Sequence, residues 1–265
     1  MSESAPYYRR HWEQIEPERL AAYEEIFRWR PNMEPLIAGA ELGLGQTVVD
    51  YGCGPGFLAA EIARRVGPAG HVIGCDLNPE FLRRARARVE SEQLAVRVTW
   101  YHVQDDRVPL PDACVDRVLC KNVLEYVPSI DATLREFRRV LKRGGRAHAI
   151  DSDWYTLIVE PLGPDRVARL LAAARTAYKE PLAGRKLYGA FQQAGFRDVT
   201  AKVFARPDTR GLLLPIVLNM LEYAKAGGGL PAGEADAIAA DCQAAVAAGT
   251  YLLFLPQFLV TGVVE

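Results

Sequence analysis

A glycine-rich turn that follows an acidic residue is the part of this sequence best suited to bind a ligand. The run VVDYGCGPGFLAAEIA (48–63) contains Asp50, then alternating glycines, and continues as a helical pattern. Such a turn lets the backbone approach a ligand closely and directs helix N–H groups towards it. The spacing is GxGxG, because Phe57 stands where the dinucleotide pattern GxGxxG has its third glycine. The turn therefore disfavours a dinucleotide.

Two acids near this turn predict a cationic ligand without phosphate. Asp50 would repel a pyrophosphate at short range but would attract an ammonium group. Asp76 ends the second predicted strand in CDLNP, the position at which an acid holds ribose hydroxyls. An amino-acid head and a ribose without phosphate are parts of S-adenosylmethionine (SAM), which we predict as the cofactor.

Alternating strand and helix patterns must position these residues. Strands are predicted at 47–52, 71–77, 96–103, 114–120 and 146–151. Amphipathic helices are predicted after Gly56, after Pro79, and through Leu141 up to Gly144–Gly145. This order predicts right-handed crossovers, and hence an α/β, Rossmann-like, mostly parallel seven-stranded sheet with helices on both faces. Ligands of such a sheet bind at the carboxyl ends of the strands.

The flanking segments predict additions to this sheet within a single domain, 1–265. We predict an N-terminal helical lid at 1–44, a SAM-binding core at 45–151 and a helical substrate-cap insertion at 207–250. Helical stretches near 162–179 and 184–194, a strand near 198–205 and a closing strand at 258–264 complete the pattern.

Composition narrows the class of protein. The 32 Lys and Arg residues against 33 Asp and Glu residues give a formal net charge of -1, which disfavours a nucleic-acid partner. The five cysteines form no CxxC pair and no zinc-like spacing. The sequence shows no signal peptide and no apolar run as long as a membrane span. We therefore expect a cytoplasmic protein with no membrane or nucleic-acid partner, and we leave a homodimer open.

Several ordered segments together resemble one protein family. VVDYGCGPGFLAAEIA, HVIGCDLNPEFLRRAR, VPLPDACVDRVLCKNVLEYV and LREFRRVLKRGGRAHAID resemble class I SAM-dependent methyltransferases, in the small-molecule branch that includes ubiquinone and menaquinone methyltransferases. The similarity covers about residues 44–151, and residues 184–199 resemble the next segment of that branch. It implies methyl transfer from SAM to an O-, N- or C-nucleophile of a small-molecule acceptor, in natural-product (secondary metabolism) or cofactor biosynthesis.

The resemblance also implies which residues contact the cofactor. The first loop would surround the methionine head, and the second would hold ribose and adenine. Gln104 or Asp105 would lie near the adenine amino group, and the residues after the fourth strand would line the channel to the acceptor. The expected cofactor residues are Asp50, Gly52, Cys53, Gly54, Asp76, Leu77, Gln104, Asp105, Lys121 and Asn122. The segment Leu124–Val127 departs from the family pattern, which often has a histidine there, so no histidine base is carried over.

Methyl transfer from a sulfonium makes few demands on side chains. The donor is already activated, so the protein mainly aligns the reacting atoms and excludes water. A base is required only by some acceptors. The candidate catalytic residues are His11, Tyr126, Asp151 and Asp153. No metal is expected, because the fourth strand ends in Cys-Lys-Asn rather than in an acid.

Aromatic residues outside the core predict the acceptor site. The expected acceptor contacts are Tyr7, Tyr8, Trp12, Trp154, Tyr155 and Tyr223. Together with the apolar insertion, they predict a largely apolar pocket for a small organic acceptor. Two alternatives stay open: a SAM-binding protein of this fold with a reaction other than methylation, and an NAD(P)-dependent reductase on a related sheet.

Overall fold

A seven-stranded sheet forms the centre of this computed structural model, which describes residues 6–94, 97–105, 107–231 and 233–265. In chain order the strands are β1 (Thr47–Tyr51), β2 (His71–Asp76), β3 (Val98–His102), β4 (Val115–Lys121), β5 (Leu141–Ser152), β6 (Ile158–Glu160), β7 (Arg197–Phe204), β8 (Leu252–Phe254) and β9 (Gln257–Val263). The large sheet has the order β3-β2-β1-β4-β5-β9-β7, and β6 pairs with β8 in a separate two-stranded sheet.

The pairing confirms the predicted fold class. Strands β1 to β5 pair in parallel, whereas β9 runs antiparallel between β5 and β7. Val48 and Val49 point to opposite faces of β1, and both are fully buried. Burial on both faces is typical of parallel strands covered by helices on each side. The prediction of a Rossmann-like, mostly parallel α/β sheet is therefore confirmed.

Helices connect and cover the strands. They are α1 (Tyr7–Glu13), α2 (Pro17–Phe27), α3 (Glu34–Ile37), α4 (Phe57–Val66), α5 (Pro79–Ser91), α6 (Ile130–Val140), α7 (Gly163–Ala173), α8 (Ala183–Gln193), α9 (Leu214–Ala226) and α10 (Glu234–Ala248). Local sequence explains several of their starts. The Asn78 side chain accepts hydrogen bonds from the amides of Glu80 and Phe81, and the Ser129 hydroxyl accepts one from the Ala132 amide. Both are N-caps that satisfy free amides of the first helical turn.

The third crossover helix ends earlier than predicted. We expected the helix to include Leu141 and to stop at Gly144–Gly145, but α6 ends at Val140. Leu141 instead begins β5, where it pairs with Val115 and is buried. Pairing with a neighbouring strand satisfies the backbone and buries the side chain, so tertiary packing overrides the helical periodicity here. The predicted strand 96–103 begins at Val98, and Val96 lies outside the described residues.

A second apolar core lies beside the sheet. It is formed by side chains of β6, α7, α9, α10 and β8, together with Trp154 and Tyr178. We call this cluster the second core. Helices α9 and α10 fall within the predicted insertion, 207–250, whereas α7 lies between β5 and α8. Within the described part of the predicted lid, which begins at residue 6, α1 and α2 are the longest helices, and Ile15, Leu20 and Tyr23 of this region pack with Phe81 of α5.

Candidate active site

A cleft lies at the carboxyl ends of β1, β2 and β4. It encloses about 1040 Å³ of empty space, part of which is open to solvent. This is the edge at which open parallel sheets bind ligands. The structure brings most of the predicted cofactor residues to the lining of this cleft: Asp50, Gly52, Cys53, Gly54, Asp76, Leu77, Lys121 and Asn122.

The loop after β1 requires its glycines. Gly52 has a φ of 73°, and its amide donates a hydrogen bond of 2.7 Å to the carbonyl of Cys75. A Cβ at Gly52 would lie 2.2 Å from Cγ2 of Val123. Gly54 has a φ of 51°, and a Cβ there would meet Phe27 at 3.8 Å. The loop is therefore fixed in a left-handed conformation that keeps it close to the cleft.

Asp76 binds this loop and still has free acceptor capacity. Its Oδ2 accepts a hydrogen bond of 2.8 Å from the Gly54 amide, and its Oδ1 accepts one of 2.8 Å from the Asn78 amide. The Leu77 amide also acts on this carboxylate, and because the two oxygens together offer four lone pairs, acceptor capacity remains for a ligand donor. Burial raises the pKa of Asp76 to about 6. The arrangement fits the two adjacent hydroxyls of a ribose.

Asp50 carries an unsatisfied acceptor at the opposite end of the loop. The residue is 1% exposed, and within the part of the chain that the structure describes its Oδ2 has no hydrogen-bond partner. Burial, and then the charge of Asp76, raise the pKa of Asp50 to about 7, while Lys121 acts in the opposite direction. A buried acceptor left unpaired is costly, which indicates a missing donor.

Asn122 provides a second unsatisfied acceptor in the same cleft. Its Oδ1 is buried without a hydrogen-bond partner among the described residues. Its φ of 55° is uncommon for a residue other than glycine, and such strain concentrates at ligand sites. A donor-rich cation would satisfy both Asn122 and Asp50. Because Asp76 can take a ribose and most of the remaining lining residues are apolar or aromatic, the residues present fit SAM.

Two of the predicted cofactor residues lie away from the cleft lining. Gln104 and Asp105 are both exposed. The Gln104 carbonyl accepts a hydrogen bond of 2.5 Å from Nη2 of Arg9, and Asp105 accepts one from the amide of Arg107. Because Arg9 does line the cleft, Gln104 is connected to its edge through α1. Their assignment to the adenine stays a prediction.

The N-terminal helices cover one side of the cleft with aromatic residues, and we call this the aromatic side. Trp12 of α1 and Phe27 of α2 line it. The Trp12 carbonyl accepts a hydrogen bond of 2.9 Å from Nδ2 of Asn78, which fixes α1 above the end of β2. The Trp12 ring meets the Tyr126 ring edge to face, with centroids 4.9 Å apart. Trp12 Nε1 is also buried without a partner in the described part of the chain.

The candidate base His11 lies outside the cleft lining. It is 3% exposed, and its Nε2 lies 2.6 Å from the Tyr23 hydroxyl. Burial, and then the charge of Arg19, lower the pKa of His11 to about 3. The Tyr23 hydroxyl is in turn 2.8 Å from that of Tyr223. His11 therefore belongs to a polar network that joins the N-terminal helices to α9.

The other catalytic candidates occupy three different environments. Tyr126 lines the cleft. Asp151 is fully buried, accepts hydrogen bonds from the amides of Glu125 and Ser152, and has a pKa raised to about 7 by burial. Asp153 is buried, pairs with Arg185 and accepts a hydrogen bond from the amide of Tyr155, as expected of a loop cap. The geometry brings only Tyr126 of these candidates to the cleft lining.

Only some of the predicted acceptor residues lie at the cleft. Trp12 lines the cleft, whereas Tyr223 is buried in the second core. The Trp154 indole donates a hydrogen bond to Glu125, and Tyr155 is 57% exposed. Tyr7 and Tyr8 are half-buried, with the Tyr7 ring edge-on to that of Tyr223. Sequence reasoning missed the cleft residues Phe27, Trp29, Met33 and Phe81.

Glu125 was also missed as a site residue. It follows β4 and is 1% exposed. A carboxyl group of this kind gives no sequence signal beyond its position after a predicted strand.

Among the described residues, no group of three or more His, Cys, Asp and Glu side chains could hold a metal ion. A search of the same residues found no helix long and apolar enough to cross a membrane.

Known proteins resemble this chain in sequence. Residues 48–145 match the family described as methyltransferase domain. The 2-phytyl-1,4-naphtoquinone methyltransferase of Trichormus variabilis is 31% identical over 174 residues, which cover 59% of this chain and 74% of that protein. A ubiquinone/menaquinone biosynthesis C-methyltransferase of Xylella fastidiosa is 28% identical over 191 residues, covering 64% of this chain and 75% of that protein.

A further relative and a solved structure extend the comparison. An uncharacterized 37.1 kDa transposon protein of Streptomyces fradiae is 33% identical over 195 residues, which cover 71% of this chain and 55% of that protein. The chain thus spans about half the length of this relative. The Haemonchus contortus phosphoethanolamine N-methyltransferase 2 structure, in complex with SAM, has a TM-score of 0.66 at 18% identity and covers 99% of this chain and 61% of that one.

The fold and the cleft define a Rossmann-like protein that binds a cationic nucleoside. The chain belongs to the family of SAM-dependent methyltransferases. The predictions of a class I methyltransferase and of SAM as its cofactor are confirmed by this membership.

Proposed function

We propose that this protein transfers the methyl group of SAM to a small, oxygen-bearing aromatic acceptor bound in the cleft. One observation carries the proposal: the cleft has two buried acceptors, Asp50 Oδ2 at the end of β1 and Asn122 Oδ1 after β4, that lack a partner among the described residues, and it has aromatic side chains on its lid side. When bound, SAM supplies an activated methyl group. The protein's residues align the acceptor with it and exclude water.

Different polar residues of the cleft would contact different parts of the cofactor. Asp50 and Asn122 would accept hydrogen bonds from the amino group of the methionine head, which their unpaired oxygens require. Asp76 would accept from the ribose hydroxyls while it holds the Gly54 amide. Leu77, which follows β2, would pack against the adenine. Together these contacts would direct the methyl group towards the aromatic side of the cleft.

The aromatic side supports an acceptor with a flat, oxygen-bearing ring. Trp12, Phe27 and Tyr126 offer apolar faces, and Trp12 Nε1 is a buried donor that requires an acceptor atom. Aromatic rings stack on one another favourably, and a polar group fixes the orientation of the ligand. The similar proteins named above are a naphtoquinone methyltransferase and a C-methyltransferase of quinone biosynthesis. The nucleophile that attacks the methyl group would be a ring hydroxyl of the acceptor, or a ring carbon that this hydroxyl activates.

We also propose that the N-terminal helices act as a lid and the insertion as a cap. Tyr23 of α2 contacts Tyr223 of α9 through hydroxyls 2.8 Å apart, and Arg19 of α2 donates a hydrogen bond to Asn219 of α9. The guanidinium of Arg19 also lies 4.7 Å from the Tyr223 ring centroid. These contacts hold the lid closed over the aromatic side, so the acceptor enters when they separate.

The experiment is transfer of a radioactive methyl group from labelled SAM to a panel of naphthohydroquinones, catechols and arylamines. We expect label in a hydroxylated aromatic product with the wild-type protein, and little label with Asp76→Ala. SAM binding by calorimetry without label in any product would favour the alternative of a SAM-binding protein with another reaction. Tight NADH binding in place of SAM would favour a reductase.

A further inference from the structure

A pair of buried carboxyl groups lies directly behind the aromatic side of the cleft. Glu125 is 1% exposed, and Asp151 is fully buried. The Glu125 amide donates a hydrogen bond of 3.3 Å to Oδ2 of Asp151, which connects the segment after β4 to the end of β5. The charge of Asp151 acts on the Glu125 carboxyl and raises its pKa, and two interacting carboxyl groups in a dry environment cannot both carry a charge at low cost. One of them therefore holds a proton readily.

Glu125 is connected to the cleft through Tyr126. The Tyr126 side chain acts on the Glu125 carboxyl, where it opposes the rise in the pKa of that group, and it also lines the cleft. The Trp154 indole donates to Oε2 of the same carboxyl. The Glu125 carbonyl accepts hydrogen bonds of 3.0 Å from the amides of Lys179 and Glu180. The carboxyl is thus held in one place, next to a tyrosine side chain that lines the cleft.

Packing alone does not explain a carboxyl group at this position. A neutral amide oxygen would accept the indole hydrogen bond equally well, whereas a buried carboxylate costs desolvation energy. The charged groups that face Glu125 are Asp151 of β5 and Lys121 of β4. Beyond them, the phenols near Tyr126 are Tyr178, Tyr223 and Tyr23. Arg19 faces Tyr178 from α2.

We propose that Glu125 receives, through the Tyr126 hydroxyl, the proton that the acceptor loses when it is methylated. This inference rests on the function proposed above. The acceptor atom forms a bond to the methyl carbon, while the bond from that carbon to sulfur breaks and leaves its electron pair on sulfur. The acceptor's proton passes to the Tyr126 oxygen as the Tyr126 proton passes to the Glu125 carboxylate. Tyr126 ends neutral, and Glu125 ends as a carboxylic acid.

The electrostatic surroundings set the pH at which this step is available. Burial, and then the charge of Asp151, raise the pKa of Glu125 well above its ordinary value, and Lys121 opposes this shift. The base is the ionised form, so the rate of transfer rises with pH through this raised pKa and falls as the pH drops below it. Tyr126 touches the acceptor and is the catalytic residue. Glu125 acts through it as a positioning and proton-accepting residue.

The test compares Glu125→Gln with the wild-type protein, using the panel compound that the wild type labels. Glutamine keeps an oxygen for the Trp154 indole, so we expect an unchanged SAM affinity by calorimetry. We expect kcat to fall by about 100-fold, the usual range for loss of a general base, and to become nearly independent of pH. Asp131→Asn, which removes a carboxylate from the exposed start of α6, is the matched control and should keep the wild-type pH profile.

A second readout needs no turnover. Infrared difference spectra of the protein without cofactor should show several buried carboxylic acids that titrate above the ordinary carboxyl range, and the spectrum of Glu125→Gln should lack one of them. If that variant does not fold, Tyr126→Phe, which keeps the ring packing on Trp12, should lose the acidic limb of the kcat profile instead.

The outcomes separate the two proposals. Methyl transfer by the wild type together with an unchanged rate and pH profile in Glu125→Gln would overturn the role of Glu125 and leave the proposed function intact. Absence of transfer to the entire panel, with SAM bound, would overturn both.

Discussion

The cofactor side and the aromatic side of the cleft are built in different ways. The cofactor side comes from short loops that directly follow β1, β2 and β4, and the Gly54 amide reaches Asp76 across 22 positions of sequence. The aromatic side combines α1, α2 and the segment after β4, and α2 is joined behind it to α9, where Tyr23 meets Tyr223 across 200 positions of sequence. The cofactor side is fixed by the local geometry of loops in a sheet that the alternating strand and helix pattern already predicts. The aromatic side depends on packing between distant segments.

The largest effect should come from the loop geometry on the cofactor side. Gly52→Ala places a Cβ at 2.2 Å from Val123 in a left-handed conformation, so we expect the free energy of unfolding to fall by about 3 kcal/mol through clash and strain. Denaturant unfolding measures this change. Gly45→Ala is the matched control, since Gly45 has a φ of 78° but nothing within 4 Å of its Cβ. It isolates the backbone strain, about 1 kcal/mol. Equal losses in both variants would show that Val123 does not constrain the loop.

A smaller effect is expected at the ribose contact. Asp76→Ala removes acceptors for the ribose hydroxyls and for the amides of Gly54 and Asn78. SAM affinity should weaken by about 2 kcal/mol, because hydrogen bonds to a charged group are lost. Calorimetry measures the affinity, and Asp76→Asn, which keeps one carbonyl oxygen, should lose less. An unchanged SAM affinity in the alanine variant would contradict the ribose assignment.

The charge of Asp50 should make cofactor binding depend on pH. Its pKa of about 7 in the free protein means that the carboxylate form, which attracts the ammonium, is lost as the pH falls through that value. SAM affinity should therefore decrease about tenfold from pH 8 to pH 6, as expected for the gain of one proton by a group with this pKa. In Asp50→Asn, calorimetry at pH 8 and pH 6 should show a SAM affinity that is weaker than in the wild type and that changes less between the two pH values. A tenfold decrease in SAM affinity from pH 8 to pH 6 that persists in Asp50→Asn would contradict the assignment of Asp50 to the ammonium group.

The smallest effect should come from the junction on the aromatic side. Tyr223→Phe removes the hydroxyl that lies 2.8 Å from that of Tyr23, and we expect the free energy of unfolding to fall by about 1 kcal/mol. SAM affinity should stay unchanged because Tyr223 does not line the cleft. Tyr155→Phe, at a side chain that is 57% exposed, is the control and should change stability by less than about 0.5 kcal/mol. A large loss of SAM affinity in Tyr223→Phe would show that the two sides are coupled.

The sequence predicted the site residues correctly where they belong to short local motifs. Asp50 and Asp76 lie at the ends of buried strands, so their arrival at one edge of the sheet could be predicted from the pattern alone. Prediction from the sequence failed where a neighbour decided the outcome. Leu141 has the spacing of the preceding helix, yet it pairs with Val115 in β5. His11 has the chemistry of a base, yet the Tyr23 hydroxyl and burial hold it away from the cleft with a lowered pKa.

The sequence by itself determined the sheet, the glycine turn and the acids that fit SAM, because parallel strands bring their following loops to a common edge whatever surrounds them. Only the tertiary structure decided the aromatic side of the cleft. It buried Tyr223 in the second core, brought Trp12 onto Tyr126, and placed Glu125 against Trp154. These contacts join residues far apart in the chain, and their formation depends on how complementary surfaces pack rather than on the pattern of any one segment.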